Sequence, residues 1–119
     1  MRIQTQSVYV PQRSNPLLDQ YLFAYFIAIL NDGGLPATLL SRHWIIVDAR
    51  GRVEEVKGLG VVGEQPRIVP GASFEYSSAC PLATQSGIMR GFYHMIDDRG
   101  IEFSVPISPF KLAIHASLN

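Results

Sequence analysis

Eight prolines and ten glycines cut this 119-residue chain into short apolar pieces. Proline cannot donate a helix or ladder hydrogen bond, so a chain interrupted this often suits short strands better than long helices. The clearest piece is Ile101, Phe103, Val105 and Ile107 alternating with Glu102, Ser104, Pro106 and Ser108. That is the period-two pattern of a strand with one face buried and the other wet. Pro106 places this strand at a sheet edge.

The remaining pieces also read as strands divided by turns. Residues 3–10 read as a strand with Ile3, Thr5, Ser7 and Tyr9 on one face. Residues 37–47 form a long strand carrying Leu39, Leu40, Trp44, Ile45, Ile46 and Val47, and Asp48-Ala49-Arg50-Gly51 is a turn. Arg52 to Lys57 is a short charged strand suited to an edge. Phe74 to Cys80 and Ile88 to Ile96 are strands on either side of a loop, Pro81 to Gly87. Asp97-Asp98-Arg99-Gly100 is a turn, and Phe110, Leu112 and Ile114 suggest a last, separate strand.

The segment 20–30 admits two readings. Asn15 and Pro16 fit a helix start, and Asn31-Asp32-Gly33-Gly34 fits its end. The run Tyr21 to Leu30 is apolar all round, so periodicity does not decide, but its four aromatics and two isoleucines favour a central strand buried on both faces. Eight or nine strands with a turn after each predict an all-β chain: one antiparallel β-sandwich of the immunoglobulin or fibronectin type III kind, a single domain over residues 1–119.

Charge removes some function classes. Ten basic residues balance ten acidic ones, so no global field draws nucleic acid or an anionic membrane. The longest apolar run falls well short of the roughly 20 residues a membrane helix needs, and the first residues lack a signal peptide's apolar stretch. Cys80 is alone and forms no disulfide within the chain. The expectation is a cytoplasmic protein, monomeric or a weak homodimer.

One motif asks for chemistry. Gly58-Leu59-Gly60-Val61-Val62-Gly63 spells G-x-G-x-x-G. A dinucleotide fingerprint lies between a strand and a helix, whose N-terminus faces the pyrophosphate. Here Gln65-Pro66 follows at once, no helical pattern comes after, and no acidic residue stands near position 83. One reading is structural: the glycines shape a connection between two strands. The other is an anion nest, in which Gly58, Gly60 and Gly63 present backbone N–H groups to a phosphate or nucleotide and Lys57 and Arg67 add charge. Next, Ile68-Val69-Pro70-Gly71-Ala72-Ser73-Phe74 resembles the L-x-P-G-x-x-Y corner of fibronectin type III domains. Phe74 replaces the tyrosine whose hydroxyl pins that corner.

Several segments together resemble the ApaG family: Glu54-x-x-x-Gly58-x-Gly60-Val61-Val62-Gly63-x-x-Pro66, Pro70-Gly71-x-x-Phe74-x-Tyr76-x-Ser78 and Gly87-x-Met89-x-Gly91-x-Tyr93-x-Met95. Tyr21-x-Phe23-Ala24-Tyr25 and Arg42-x-Trp44-x-Ile46 extend the likeness over nearly the whole chain. The resemblance implies a fibronectin-III-like sandwich. It also implies a partner-binding module like those in some F-box proteins and a polymerase-delta-interacting protein, and a link to cobalt and magnesium resistance.

Other chemistry finds little footing. His43, His94 and His115 are far apart and form no metal-binding motif, so neither a metal nor a cofactor is expected. The serines and Cys80 lack a nucleophile motif, and Glu54-Glu55 and Asp97-Asp98, as neighbours, point to opposite faces. No catalytic residue is assigned. The aromatics, with Met89 and Met95, leave room for an apolar patch or an open strand edge that receives a protein partner.

Overall fold

The strand pattern of the sequence is realised almost piece for piece in a computed structural model that describes residues 1–114. Eight strands run in order: β1 (Arg2–Tyr9), β2 (Tyr21–Leu30), β3 (Ala37–Asp48), β4 (Val53–Leu59), β5 (Arg67–Ile68), β6 (Ser73–Leu82), β7 (Ser86–Asp97) and β8 (Glu102–Ala113). They pair antiparallel in two sheets, one ordered β1-β2-β6 and the other β4-β3-β7-β8, with β5 also on β3. The two sheets pack face to face as a sandwich of the fibronectin type III kind. Among the described residues no helix is long and apolar enough to cross a membrane.

The core is the set of inward side chains of both sheets. Phe23, Ile27 and Ile29 of β2 meet Leu39 and Trp44 of β3, Met89, Tyr93 and Met95 of β7, and Ile107 and Leu112 of β8, all 2% exposed or less. Each such side chain contributes roughly 1.5–3 kcal/mol by leaving water.

Four sequence expectations need correction. The run 21–30 is a strand, but its burial alternates: Tyr21, Phe23, Tyr25, Ile27 and Ile29 are buried, while Phe26 is 45% exposed. It is central within a three-stranded sheet whose outer face is open, so only one of its faces is covered. The capping signal at Asn15-Pro16 does start a turn of helix, but only a single 3-10 turn, Pro16–Leu18, which Asp19 ends at φ 55°. The two last strands are one: β8 runs through Ser108 and Pro109 by a bulge opposite Met89 and Gly91 of β7. Finally, β6 extends past Cys80 through Pro81, which an edge strand tolerates. Pro81, Pro106 and Pro109 all lie on edge strands, β6 and β8, where prolines are tolerated, and the charged β4 is an edge strand as well.

The Pro70-Gly71 corner does carry the chain from β5 in one sheet to β6 in the other. With Phe74 in place of tyrosine, the pin comes from elsewhere. Asn31, 2% exposed, donates from Nδ2 to the Leu35 and Ile68 carbonyls at 2.8 and 2.9 Å. Its Oδ1 accepts from the Gly33 N–H at 2.9 Å, and its own backbone exchanges bonds with Gly71 and Ala72. One buried amide thus ties both connections that change sheets at this end.

Candidate functional site

The glycine loop is an excursion within one sheet edge. β4 leaves β3 after Leu59, which faces Ser41, and β5 rejoins it at Arg67 and Ile68, which face Thr38 and Ala37. Between them Val61 and Glu64 exchange backbone bonds at 2.8 and 2.9 Å around Val62 and Gly63. Positive φ at both central residues, 44° and 81°, marks a type I′ turn. Val61 plugs into the core at 0% exposure, and the tip faces water.

Two glycines are there for conformation or space. Gly60 sits at φ 60°, and a Cβ on it would meet the Glu64 carbonyl oxygen at 2.1 Å. Gly58 has no positive φ; its missing side chain leaves room for the Arg42 guanidinium, 2.8 Å from where a Cβ would stand. The donors of the loop are largely engaged. The Gly60 N–H donates to the Leu40 carbonyl at 2.8 Å, and the Val61 and Glu64 N–H groups donate within the turn. Of the two expected cations, Arg67 grips Asp98 through Nε and Nη2, which holds the Asp98 carboxyl below its usual range. Lys57 stays exposed on β4, opposite His43.

The histidines take separate partners: His43 Nε2 lies 3.1 Å from Glu55, and His94 Nε2 lies 2.6 Å from Glu102. His115 is outside the described residues. Among the described residues no three of His, Cys, Asp and Glu converge on a metal position. Asp97 accepts from the Arg99 and Ile101 N–H groups and so closes its turn. The described hydrogen bonds include none that joins a serine or Cys80 to a histidine.

Two surfaces remain. The first is the outer face of β1-β2-β6, where residues directly opposite share a face. Gln4 and Ala28, Gln6 and Phe26, and Val8 and Ala24 are opposite across β1 and β2. Ser77 and Ala79 continue the rows into β6. Phe26 stands in the middle, Val8 is 36% exposed beside it, and charges occur only toward one end, at Arg2 and Glu75. The outer face of the other sheet differs: exposed Ile88 and Phe92 are interspersed with Glu55, Lys57, Arg90 and Lys111.

The second is a cleft between the sheets. The sandwich is closed on its β1/β8 side, where the Ser7 hydroxyl donates to the Lys111 carbonyl at 2.7 Å. On the other side β4 and β6 each pair with one strand only. A cavity of about 180 Å³ opens there, lined among others by Tyr25, Arg42, Trp44, Glu54, Ser78 and Cys80. Burial drives up the Tyr25 phenol and, to about 12, the Cys80 thiol, so both stay protonated at neutral pH. Deeper in, the hydroxyls of Tyr76 and Tyr93 share a short hydrogen bond, and burial raises both far above an ordinary phenol. Arg42, Trp44 and Ile46 alternate along β3, so the period-two pattern already puts one cation on an apolar inner face. That alternation is the local trace of the cleft in the sequence.

Comparison with known proteins converges on one answer. The family model described as the ApaG domain matches residues 11–97. The chain is 54% identical over 111 residues to Protein ApaG of Bordetella pertussis, covering 93% of this chain and 85% of that one. It is 47% identical over 117 residues to Protein ApaG of Azotobacter vinelandii, covering 98% and 93%. A crystal structure of the ApaA protein from Bordetella pertussis superposes with a TM-score of 0.94 at 51% identity, covering 97% of this chain and 94% of that one.

Proposed function

The chain belongs to the ApaG family, and from that premise we propose that it is a non-enzymatic binding module whose partner is another protein. The observation that carries this reading is the outer face of β1-β2-β6. A water-facing sheet surface ordinarily alternates polar residues with the apolar ones inside. Here the water-facing row of β2 is Leu22, Ala24, Phe26, Ala28 and Leu30, with no polar residue in it. Such a face is characteristic of a surface that another protein covers. The partner it suits offers an apolar, uncharged face of its own, since a charged one would lose its hydration against Phe26, Ala24 and Ala79 without compensation.

The test is Phe26→Lys on the full chain. The side chain points outward, so the fold tolerates the change, and circular dichroism checks that it does. Proteins recovered on the tagged wild type from its own cytosol should be lost on the variant. Retention of the same proteins by the variant would remove this face from the account. Sedimentation of both forms separates a heterologous partner from a second copy of the chain, which the same substitution would also disperse.

The second reading is a phosphate or nucleotide held by Gly58, Gly60 and Gly63. It is favoured by the φ of Val62, a β-branched residue in the left-handed region, a kind of strain that often marks functional turns. It is opposed by the engagement of three loop N–H groups and of Arg67.

A further inference from the structure

We propose that the cleft on the open side of the sandwich binds a small carboxylate with a compact apolar body, an anion about the size of benzoate, through Arg42 and Trp44. This goes beyond the protein-binding reading and does not depend on it.

Two residues that line the cleft carry donors without the partners that buried donors have. Trp44 is 2% exposed, and its Nε1–H has no hydrogen-bond acceptor. Aromatic rings pack around it, Tyr25 at 5.5 Å, Phe110 at 5.9 Å and Tyr93 at 6.2 Å between centroids, and a ring is at most a weak acceptor. A buried N–H left in this state destabilises the free protein and calls for an explanation. Arg42 is half-buried, and its Nη1 donates to the Leu59 and Gly60 carbonyls at 3.0 Å each. Those are neutral acceptors. Among the described residues no carboxylate pairs with this guanidinium. Its charge is therefore uncompensated, on the same strand and the same inner face as the indole N–H, two residues away.

The rest of the cleft defines the ligand. Ile46, Val56 and Met89 supply an apolar wall, and the Tyr25 phenol, whose oxygen interacts with the Ser78 hydroxyl, adds a neutral donor. Donors and one cation at one place call for an anionic acceptor; the apolar wall calls for a hydrocarbon body. The volume, about 180 Å³, sets the size: an apolar cavity of about 150 Å³ is known to hold benzene. A ring or branched chain bearing one carboxylate matches this volume. Glu54, exposed at the rim, is the one acidic residue in the lining and opposes an anion.

The chain has one tryptophan, so its indole N–H gives a single resonance that reports the site directly. The ¹⁵N-labelled full chain is titrated with sodium benzoate and, separately, with benzyl alcohol. The expected result is a saturable shift of the indole signal together with amides of residues 54–56 and 78–80. Benzyl alcohol should bind at least about tenfold more weakly. Arg42→Met should weaken benzoate by about tenfold or more. Because Arg42 also braces the glycine loop, that variant can lose its fold; Glu54→Gln, on the exposed rim, keeps the test open. Removing its charge should tighten benzoate by about threefold. An indole signal unmoved by about 20 mM benzoate, equal binding of benzyl alcohol, or no gain from Glu54→Gln would each overturn the proposal.

Discussion

The glycine loop and the inter-sheet cleft are built from adjoining residues and differ in what their donors do. In the loop, the Gly60, Val61 and Glu64 N–H groups all meet backbone carbonyls. In the cleft, the Trp44 Nε1–H meets none, and Arg42 meets only neutral oxygens. The loop carries the motif associated with ligands yet uses its hydrogen bonds to hold an edge strand together. The cleft carries no motif and leaves its donors open. Arg42 links the two regions: its guanidinium occupies the space that Gly58 lacks a side chain to fill. A spacing of glycines reports what the backbone must do; whether a ligand is held depends on which donors remain without partners.

The largest expected effect is on the cleft side and comes from pH. Cys80, Tyr25, Tyr76 and Tyr93 all have pKa values raised by burial in the folded chain. The unfolded chain therefore releases these protons first, and stability falls as pH rises above the ordinary thiol and phenol values. For Cys80, moved from 9.0 to about 12, the loss by the top of that window is on the order of 4 kcal/mol. Urea midpoints measured from pH 7 to 11 should fall steeply past pH 9. A flat profile would mean that the cleft side is wetter than described. Next is Gly60→Ala, which combines a left-handed φ with a clash against the Glu64 carbonyl and should cost about 3 kcal/mol. A much smaller loss would show slack in the loop and weaken its contrast with the cleft. Smallest is Val62→Asn, which should stabilise by about 1 kcal/mol by placing Asn-Gly in the type I′ turn. If the thermal midpoint falls instead, Val62 contributes something besides strain.

What the sequence made legible is whatever follows from short range. Period-two alternation located β1, β6 and β8, and charge located β4 at an edge. The apolar run 21–30 read as strand on its aromatic and β-branched content, but how many of its faces are covered depends on the number of sheets, which no single strand encodes. Ser108-Pro109 read as a break because a bulge and a turn use the same residues; only pairing with Met89 and Gly91 tells them apart. Asn31 was read as part of a turn, since its partner Ile68 lies 37 residues away. The loop's position between two strands was legible; that Gly58 serves Arg42, and not a positive φ, was not. The cleft draws on five strands, so the one local trace of it is the Arg42, Trp44, Ile46 alternation of β3, and the rest of its lining comes together only in the fold.

Backbone amide resonances of residues 58–64, followed while pyrophosphate is added to millimolar excess, test the account at its centre. It predicts that these signals stay in place, because the Gly60, Val61 and Glu64 N–H groups already serve β3 and the turn around Val62-Gly63. A saturable shift of the Gly60, Val62 and Gly63 amides would contradict it and make the loop the binding site.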